Sequence, residues 1–351
     1  MATFSIDQIS IKGISCCVPK NIEKNKDIEI LNNDEISKFI DSVGVEERRI
    51  APANVCTSDL CFEAAEKLIK DLDWNKDEIE ILVFVSQTAD FILPVTSAIL
   101  QNKLGLSNKC IAFDVPLGCS GYVYGISIIS GMMKSIGLKK GLLLVGDTSS
   151  KLISKKDKSI LPLFGDAGSA TAFQFDLNAS KIQFDLGTDG SGFESIIIHD
   201  GGSRNQFNHE SLNCKSISDN IARNSCELVL EGMDVFSFGI SQAPLTVKKL
   251  LETYEIDKEE INFYVFHQAN MMMNKMIVKK LKINEEKVPY SLKKFGNTSS
   301  ATIPLTIVTE LKDKIIGNDL DIIICGFGVG LSWGTARIKF TGVIISDLIE
   351  I

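Results

Sequence analysis

Three residues far apart in the chain could do chemistry together: Cys119, His267 and Asn297. Each lies just past an apolar, strand-like run or a loop that feeds a helix. Cys119 sits in Asp114-Val115-Pro116-Leu117-Gly118-Cys119-Ser120-Gly121, after Ile111-Ala112-Phe113. His267 ends Phe263-Tyr264-Val265-Phe266 and opens His267-Gln268-Ala269-Asn270. Asn297 lies in Gly296-Asn297-Thr298-Ser299-Ser300-Ala301-Thr302-Ile303-Pro304. A thiol, an imidazole and an amide delivered to strand ends suit acyl-thioester chemistry, because strand ends are where α/β folds gather their reacting groups.

Taken singly, each residue has a plain structural alternative. A free cysteine is commonly a small buried apolar side chain. At a strand-to-helix turn, however, the helix N-terminus offers about +0.5 charge and unpaired N–H donors, and both favour a thiolate. Gly118 and Gly121 allow a tight backbone and close approach there. His267 could equally be a satisfied structural histidine, and Gly-Asn-Thr is also an ordinary turn and helix cap. The functional reading is joint: all three occupy the same kind of position.

The elements around them show a weak internal repeat, offset by about 180 residues. Asp77-Glu78-Ile79-Glu80-Ile81-Leu82-Val83-Phe84-Val85-Ser86-Gln87 resembles Lys258-Glu259-Glu260-Ile261-Asn262-Phe263-Tyr264-Val265-Phe266-His267-Gln268. Leu142–Val145 parallels Ile322–Cys325, each run ending in Gly, as expected of strands buried on both faces. Ser120–Ile136 reads as a buried helix, and 274–281 and 300–312 have helical spacing. Alternating strands and helices predict an α/β fold of two similar halves, 1–178 carrying the cysteine and 179–351 carrying His267 and Asn297. If the halves pack face to face, the three residues converge. Residues 201–223, rich in Asn and Ser, are expected to form a long surface loop.

Composition narrows the function class. The 351 residues are 44% hydrophobic and 23% charged, with net charge −8. No Arg/Lys cluster interleaves with aromatics, so nucleic-acid binding is not indicated. No apolar run is long enough to cross a bilayer, and no signal peptide is recognised at the start. Nine cysteines without a CxxC pair and only three histidines make a metal site unexpected. The expected setting is a reduced cytoplasm.

Gly326-Phe327-Gly328-Val329-Gly330-Leu331-Ser332-Trp333-Gly334 follows a buried strand but opens no helix, so it fails the context of a dinucleotide fingerprint. It reads either as a tight hairpin or as a turn aiming a backbone N–H, that of Gly330, at a developing oxyanion.

With these segments in view, the chain resembles the ketoacyl-acyl carrier protein synthase III family of the thiolase superfamily. The likeness rests on Asp114–Gly121, His267–Asn270, Gly296–Pro304 and Gly328–Gly334, with support from Gly44-Val45-Glu46-Glu47-Arg48-Arg49 and Phe164-Gly165-Asp166-Ala167-Gly168-Ser169-Ala170. These occur in the family's order over nearly the whole chain. The resemblance implies a five-layered αβαβα thiolase-like fold from two duplicated halves, and a homodimer. It implies that Cys119 takes an acyl group from an acyl-CoA, and that malonyl-acyl carrier protein then binds. His267 and Asn297 would stabilise the enolate formed as carbon dioxide leaves, and the N–H groups of Cys119 and Gly330 would form the oxyanion hole. Coenzyme A and acyl carrier protein thioesters would be substrates, with no resident cofactor or metal. A non-decarboxylating transfer from Cys119 to a hydroxyl or amine, and an inactive scaffold, are the competing readings.

Departures from the family pattern concern the substrate. Where relatives place a Trp and an Arg for coenzyme A, this chain has Lys38 and Ser42; a further basic position would be Lys158. Met272 replaces an Arg expected near the carrier protein, with Lys275, Lys279, Lys280 and Lys282 nearby as a docking patch. Leu93 stands where relatives have a Phe closing the primer pocket across the dimer. A longer or branched primer, or one arriving on a carrier protein, is expected.

Overall fold

A computed structural model describes residues 2–351. The strands of its two large sheets are, in chain order, β1 (Ala2–Ile6), β2 (Ile9–Val18), β3 (Ile81–Val85), β4 (Ile111–Val115), β5 (Lys140–Asp147), β6 (Ala167–Phe175), β7 (Ile182–Thr188), β8 (Phe263–Phe266), β9 (Leu320–Gly328), β10 (Ser332–Phe340), β11 (Ile344–Ile345) and β12 (Ile349–Glu350). The principal helices are α1 (Asn33–Val43), α2 (Thr57–Asp71), α3 (Thr96–Lys103), α4 (Gly121–Ile136), α5 (Gly232–Thr253), α6 (Met271–Leu281) and α7 (Thr302–Glu310).

Strand alternation builds five layers. Successive side chains of a strand point to opposite faces, so a continuous apolar run buries both. In β3, Val83 and Val85 join the central core, whereas Leu82 and Phe84 pack with Leu60, Ala64 and Leu68 of α2. In β9, Ile322 and Ile324 face the same centre, whereas Ile323 and Cys325 pack with Val247 of α5 and Ile277 of α6. α4 and α7 lie between the sheets, contributing Ile126, Ile129, Ile303 and Ile307 to the shared core. The order is outer helices, sheet, α4 with α7, sheet, outer helices.

The repeat is visible in the topology. One sheet runs β11-β2-β6-β5-β3-β4, with β12 also on β2; the other runs β1-β7-β10-β9-β8. β3 pairs parallel with β5, as β8 does with β9. β5 pairs antiparallel with β6, as β9 does with β10. The chain crosses between sheets in the turn from β6 to β7, near the boundary read from the sequence. The halves still exchange their ends: β1 belongs to the second sheet, and β11 and β12 to the first. A clean division at 178/179 therefore misses the terminal strands, whose partners are set by edge pairing over more than 150 residues of separation.

The expected loop at 201–223 is exposed but ordered differently. It contains a single helical turn, His209–Leu212, and a hairpin, Lys215–Ser218 with Ile221–Arg223. Ala222 N–H donates to Lys156 O, and Ser154 Oγ donates to Ala222 O, so tertiary bonds hold a hairpin that its polar composition does not announce. Among the described residues no helix is long and apolar enough to cross a membrane, and no cluster of three or more His, Cys, Asp or Glu could hold a metal ion.

Candidate active site

Cys119, His267 and Asn297 line one cavity of about 220 Å³. Cys119 lies between β4 and α4, just before Ser120, the residue preceding the first turn of the helix. His267 follows β8, where its N–H donates to Cys325 O at 2.8 Å. Asn297 precedes α7 and is stapled to the 163–165 segment: its N–H donates to Leu163 O at 2.9 Å, and Gly165 N–H donates to its carbonyl at 3.1 Å. The sandwich thus brings the cysteine of one half against two residues of the other.

The hairpin between β9 and β10 closes over the thiol. A Cβ on Gly328 would lie 2.6 Å from Cys119 Cβ and 2.8 Å from its Sγ, so only glycine permits this approach. Ser332 Oγ donates to Val329 O at 2.8 Å and sits 2.7 Å from Ser120 Oγ, locking the turn to the start of α4. The backbone N–H groups that reach the Cys119 sulfur are those of Val329 and of Cys119 itself. Gly330 instead packs on Ser332 and does not line the cavity. The amide beside the sulfur is thus that of Val329, one residue before the expected Gly330. The alternation along β9 and its turn decides which amide points inward, and no residue pattern in a Gly-Val-Gly run records it.

The thiol differs from expectation as well. Burial pushes Cys119 up to about 11. The Val329 N–H and the Ser299 hydroxyl pull the other way, and the Asp147 carboxylate adds to the rise. Cys119 keeps partial exposure to the cavity, yet protein surrounds the sulfur on its other sides. Desolvation is the largest influence on the sulfur, and it favours the neutral thiol as the resting group.

His267 is only 1% exposed. Burial lowers its pKa to about 3, and the Ser299 backbone acts weakly in the opposite sense. The ring is a neutral imidazole near neutral pH. It meets the Phe327 ring edge-on at 5.6 Å, and its Nδ1 lies 2.7 Å from Thr302 Oγ1. Asn297 Oδ1 accepts the Ser299 N–H at 2.9 Å, which leaves the NH₂ end of the side chain for a ligand. A neutral imidazole and an oriented amide make a donor pair suited to a developing oxyanion, without a strong base.

Asp147, at the end of β5, was not singled out from the sequence. It is buried, and its Oδ1 accepts Gln87 N–H at 2.7 Å and Ser86 Oγ at 3.1 Å. Its Oδ2 accepts Ser300 Oγ at 2.6 Å and Ser300 N–H at 3.2 Å. The only sequence trace is its place after Gly146 in the repeated strand.

Of the two sequence blocks around Gly44 and Phe164, Phe164 lines the cavity and buried polar residues of both brace the backbone behind it. Buried Arg48 donates to Leu161 O at 2.9 Å and to Asn25 Oδ1 at 2.8 Å. Asp166 accepts Ala51 N–H and the Ser150 hydroxyl.

Comparison with known proteins gives the same answer over the whole chain. Residues 113–190 match the family model for 3-oxoacyl-[acyl-carrier-protein] synthase III, and residues 251–340 match that for its C-terminal part. A beta-ketoacyl-[acyl-carrier-protein] synthase III of Halalkalibacterium halodurans is 32% identical, covering 94% of this chain and 98% of its own. The corresponding protein of Aliarcobacter butzleri is 31% identical over 95% and 98%. The crystal structure of a 3-oxoacyl-(acyl-carrier protein) synthase from Burkholderia xenovorans superimposes with a TM-score of 0.93 at 35% identity, covering 100% and 99%. The chain belongs to the 3-oxoacyl-[acyl-carrier-protein] synthase III family.

Within this synthase III chain the substrate-contact positions fall unevenly. Lys38 is exposed and does not line the cavity, whereas its neighbour Phe39 does, beside Val43, Leu163 and Leu230. Ser42 donates to Lys38 O at 2.7 Å. Lys158 is taken up by Glu35 at 2.9 Å and Asp219 at 3.4 Å. Lys275 and Lys279 line a shallow depression with Ser42, Asp41 and Met272, while Lys280 turns away and donates to Ile240 O of α5 at 2.9 Å. Of the four lysines expected there, Lys275 and Lys279 line the depression, whereas Lys280 lies one residue further round the helix and Lys282 is the left-handed residue that ends it. Leu93 does not line the cavity of its own chain; it is 82% exposed, beside Ile92 at 93%. The segment between β3 and α3 carries it outward.

Proposed function

We propose that this protein is a decarboxylating condensing enzyme that joins a Cys119-bound acyl primer to malonyl-acyl carrier protein, releasing carbon dioxide and forming a β-ketoacyl-acyl carrier protein. The observation that carries the reading is the convergence of Cys119, neutral His267 and Asn297 on one cavity. Cys119 Sγ attacks the primer thioester, loses its proton as the new thioester forms, and the departing thiolate takes up a proton. His267 and Asn297 then donate to the malonyl thioester oxygen. As carbon dioxide leaves, the enolate carbon attacks the acyl carbon on Cys119. The N–H groups of Cys119 and Val329 hold the tetrahedral oxyanion, which collapses to expel the cysteine sulfur. Relatives named for the same activity across more than nine-tenths of their length support the assignment.

We assign no resident cofactor; coenzyme A and acyl carrier protein enter as carriers of substrate. Apolar Phe39, Leu163, Leu228 and Leu230 along the cavity suit a pantetheine arm or a fatty chain, and a primer longer or more branched than acetyl follows from the altered contact positions. Lys275 and Lys279 are the proposed contacts for an acidic carrier protein. The exposed run Phe91–Val95 is the proposed contact with a second copy, where Leu93 would reach the partner's primer pocket.

The test combines the protein with an acyl-CoA panel and malonyl-acyl carrier protein, following Cys119 acylation by mass spectrometry and carbon dioxide release. Acylation with stoichiometric carbon dioxide is expected, and Cys119→Ala should abolish both. Acylation without carbon dioxide would turn the reading to the transferase alternative; no acylation would leave only a scaffold. Strict acetyl preference would remove the longer-primer expectation.

A further inference from the structure

A neutral imidazole carries one N–H, and the neighbour of one nitrogen decides which. For His267 to donate to a thioester oxygen through Nε2, Nδ1 must be the acceptor. Among the described residues, the one side chain hydrogen-bonded to the ring is Thr302, whose Oγ1 lies 2.7 Å from Nδ1. Thr302 is 1% exposed on the first turn of α7, where no solvent competes for its hydroxyl.

That hydroxyl has one proton and two acceptors in reach. Ser299 O lies 3.1 Å from Oγ1, and the Ser299 backbone also reaches the ring, where it acts to raise the His267 pKa. The same carbonyl already accepts the Thr302 N–H that closes the 299–301 turn. Ser299 O is thus satisfied without the hydroxyl, whereas an unprotonated Nδ1 has no other donor. The shorter contact is the one to the ring. We infer that Thr302 is a positioning residue: its hydroxyl donates to Nδ1 and thereby holds His267 in the Nε2–H tautomer that presents a donor to the substrate oxygen.

The inference rests on the condensing reading for its purpose but not for its test. With Thr302→Val, shape is kept and the donor is lost. Nδ1 then takes the proton and turns it toward Ser299 O, so Nε2 presents a lone pair to the oxyanion. Thr302→Ser keeps the hydroxyl and serves as the rescue variant, guarding against a packing effect.

The chain has three histidines, so ¹⁵N-histidine labelling gives a small spectrum in which His267 is assigned by its loss in His267→Gln. The wild type and Thr302→Ser are expected to show Nε2 protonated and Nδ1 bare, and Thr302→Val the reverse. In parallel, carbon dioxide release from malonyl-acyl carrier protein by the pre-acylated enzyme should fall about 10²-fold in Thr302→Val, further than Cys119 acylation falls, and recover in Thr302→Ser. A wild-type ring protonated at Nδ1, or a Thr302→Val ring unchanged from wild type, overturns the inference. If the tautomers behave as stated but no variant, wild type included, releases carbon dioxide, the positioning role stands and the condensing reading falls.

Discussion

Asp147 and Ser300 join the two halves of the molecule at the active site: the carboxylate at the end of β5 accepts both the hydroxyl and the N–H of Ser300, just before α7. The other oxygen of the same carboxylate holds the Gln87 N–H beside β3. One buried side chain therefore fixes the loop carrying Asn297 relative to the strand end beside Cys119. Asp147→Ala leaves several buried donors unpaired and is expected to lower stability by about 2–4 kcal/mol, read as a lower urea midpoint at unchanged slope. Ser300→Ala removes one bond and should cost about 1 kcal/mol. A loss in Asp147→Ala no larger than in Ser300→Ala would show that the carboxylate is not the junction.

The Cys119 thiol should become reactive only as pH rises. With its pKa pushed up to about 11 by burial, the thiolate fraction grows about tenfold per pH unit below that value. Iodoacetamide labelling of the Cys119 peptide, followed by mass spectrometry, should rise log-linearly from about pH 7 to 10 without a plateau. Ser299→Ala removes a hydroxyl that favours the thiolate and should move the curve to higher pH. A plateau below pH 8 would mean that the helix end dominates after all.

Decarboxylation should ignore the pH range in which histidines ordinarily titrate. Burial holds His267 down to about 3, so pre-acylated enzyme should release carbon dioxide at a rate flat across about pH 5–8. The same shift has a stability consequence with a definite sign. The unfolded chain binds a proton near pH 6.5 that the folded ring refuses, so stability is full above that pH. It falls by up to about 1.4 kcal/mol per unit as pH drops toward 3. His267→Gln should remove this part of the acid limb in urea titrations, and should lower carbon dioxide release about 10²–10³-fold.

Gly328 should tolerate no side chain. An alanine methyl would fall within contact of Cys119 Sγ, so either the turn or the nucleophile must move. Displacement of a reacting atom by about 1 Å can cost 10²-fold, and acylation of Cys119 in Gly328→Ala should fall at least that far. Gly330→Ala, remote from the thiol but strained at φ +137°, should lower acylation less than Gly328→Ala does. Equal losses in the two variants would place the oxyanion turn in the wrong register.

What could be read from the residues was whatever local order records. The buried strands announce themselves as apolar runs, the repeat as two such runs at matching intervals, and α4 as a long Gly- and Met-rich segment after Cys119. Cys119, His267 and Asn297 were legible because each sits in a distinctive short motif at an element boundary. Their meeting in one cavity was not legible, because it depends on two sheets stacking around α4 and α7. The same holds for every feature that arises between distant segments. The choice of Val329 over Gly330 follows from how the hairpin leans on Ser120, and the exchange of terminal strands from which edge was left unpaired. The high thiol pKa is likewise tertiary: local sequence supplies a helix end that favours charge, but desolvation is a property of everything packed around the sulfur.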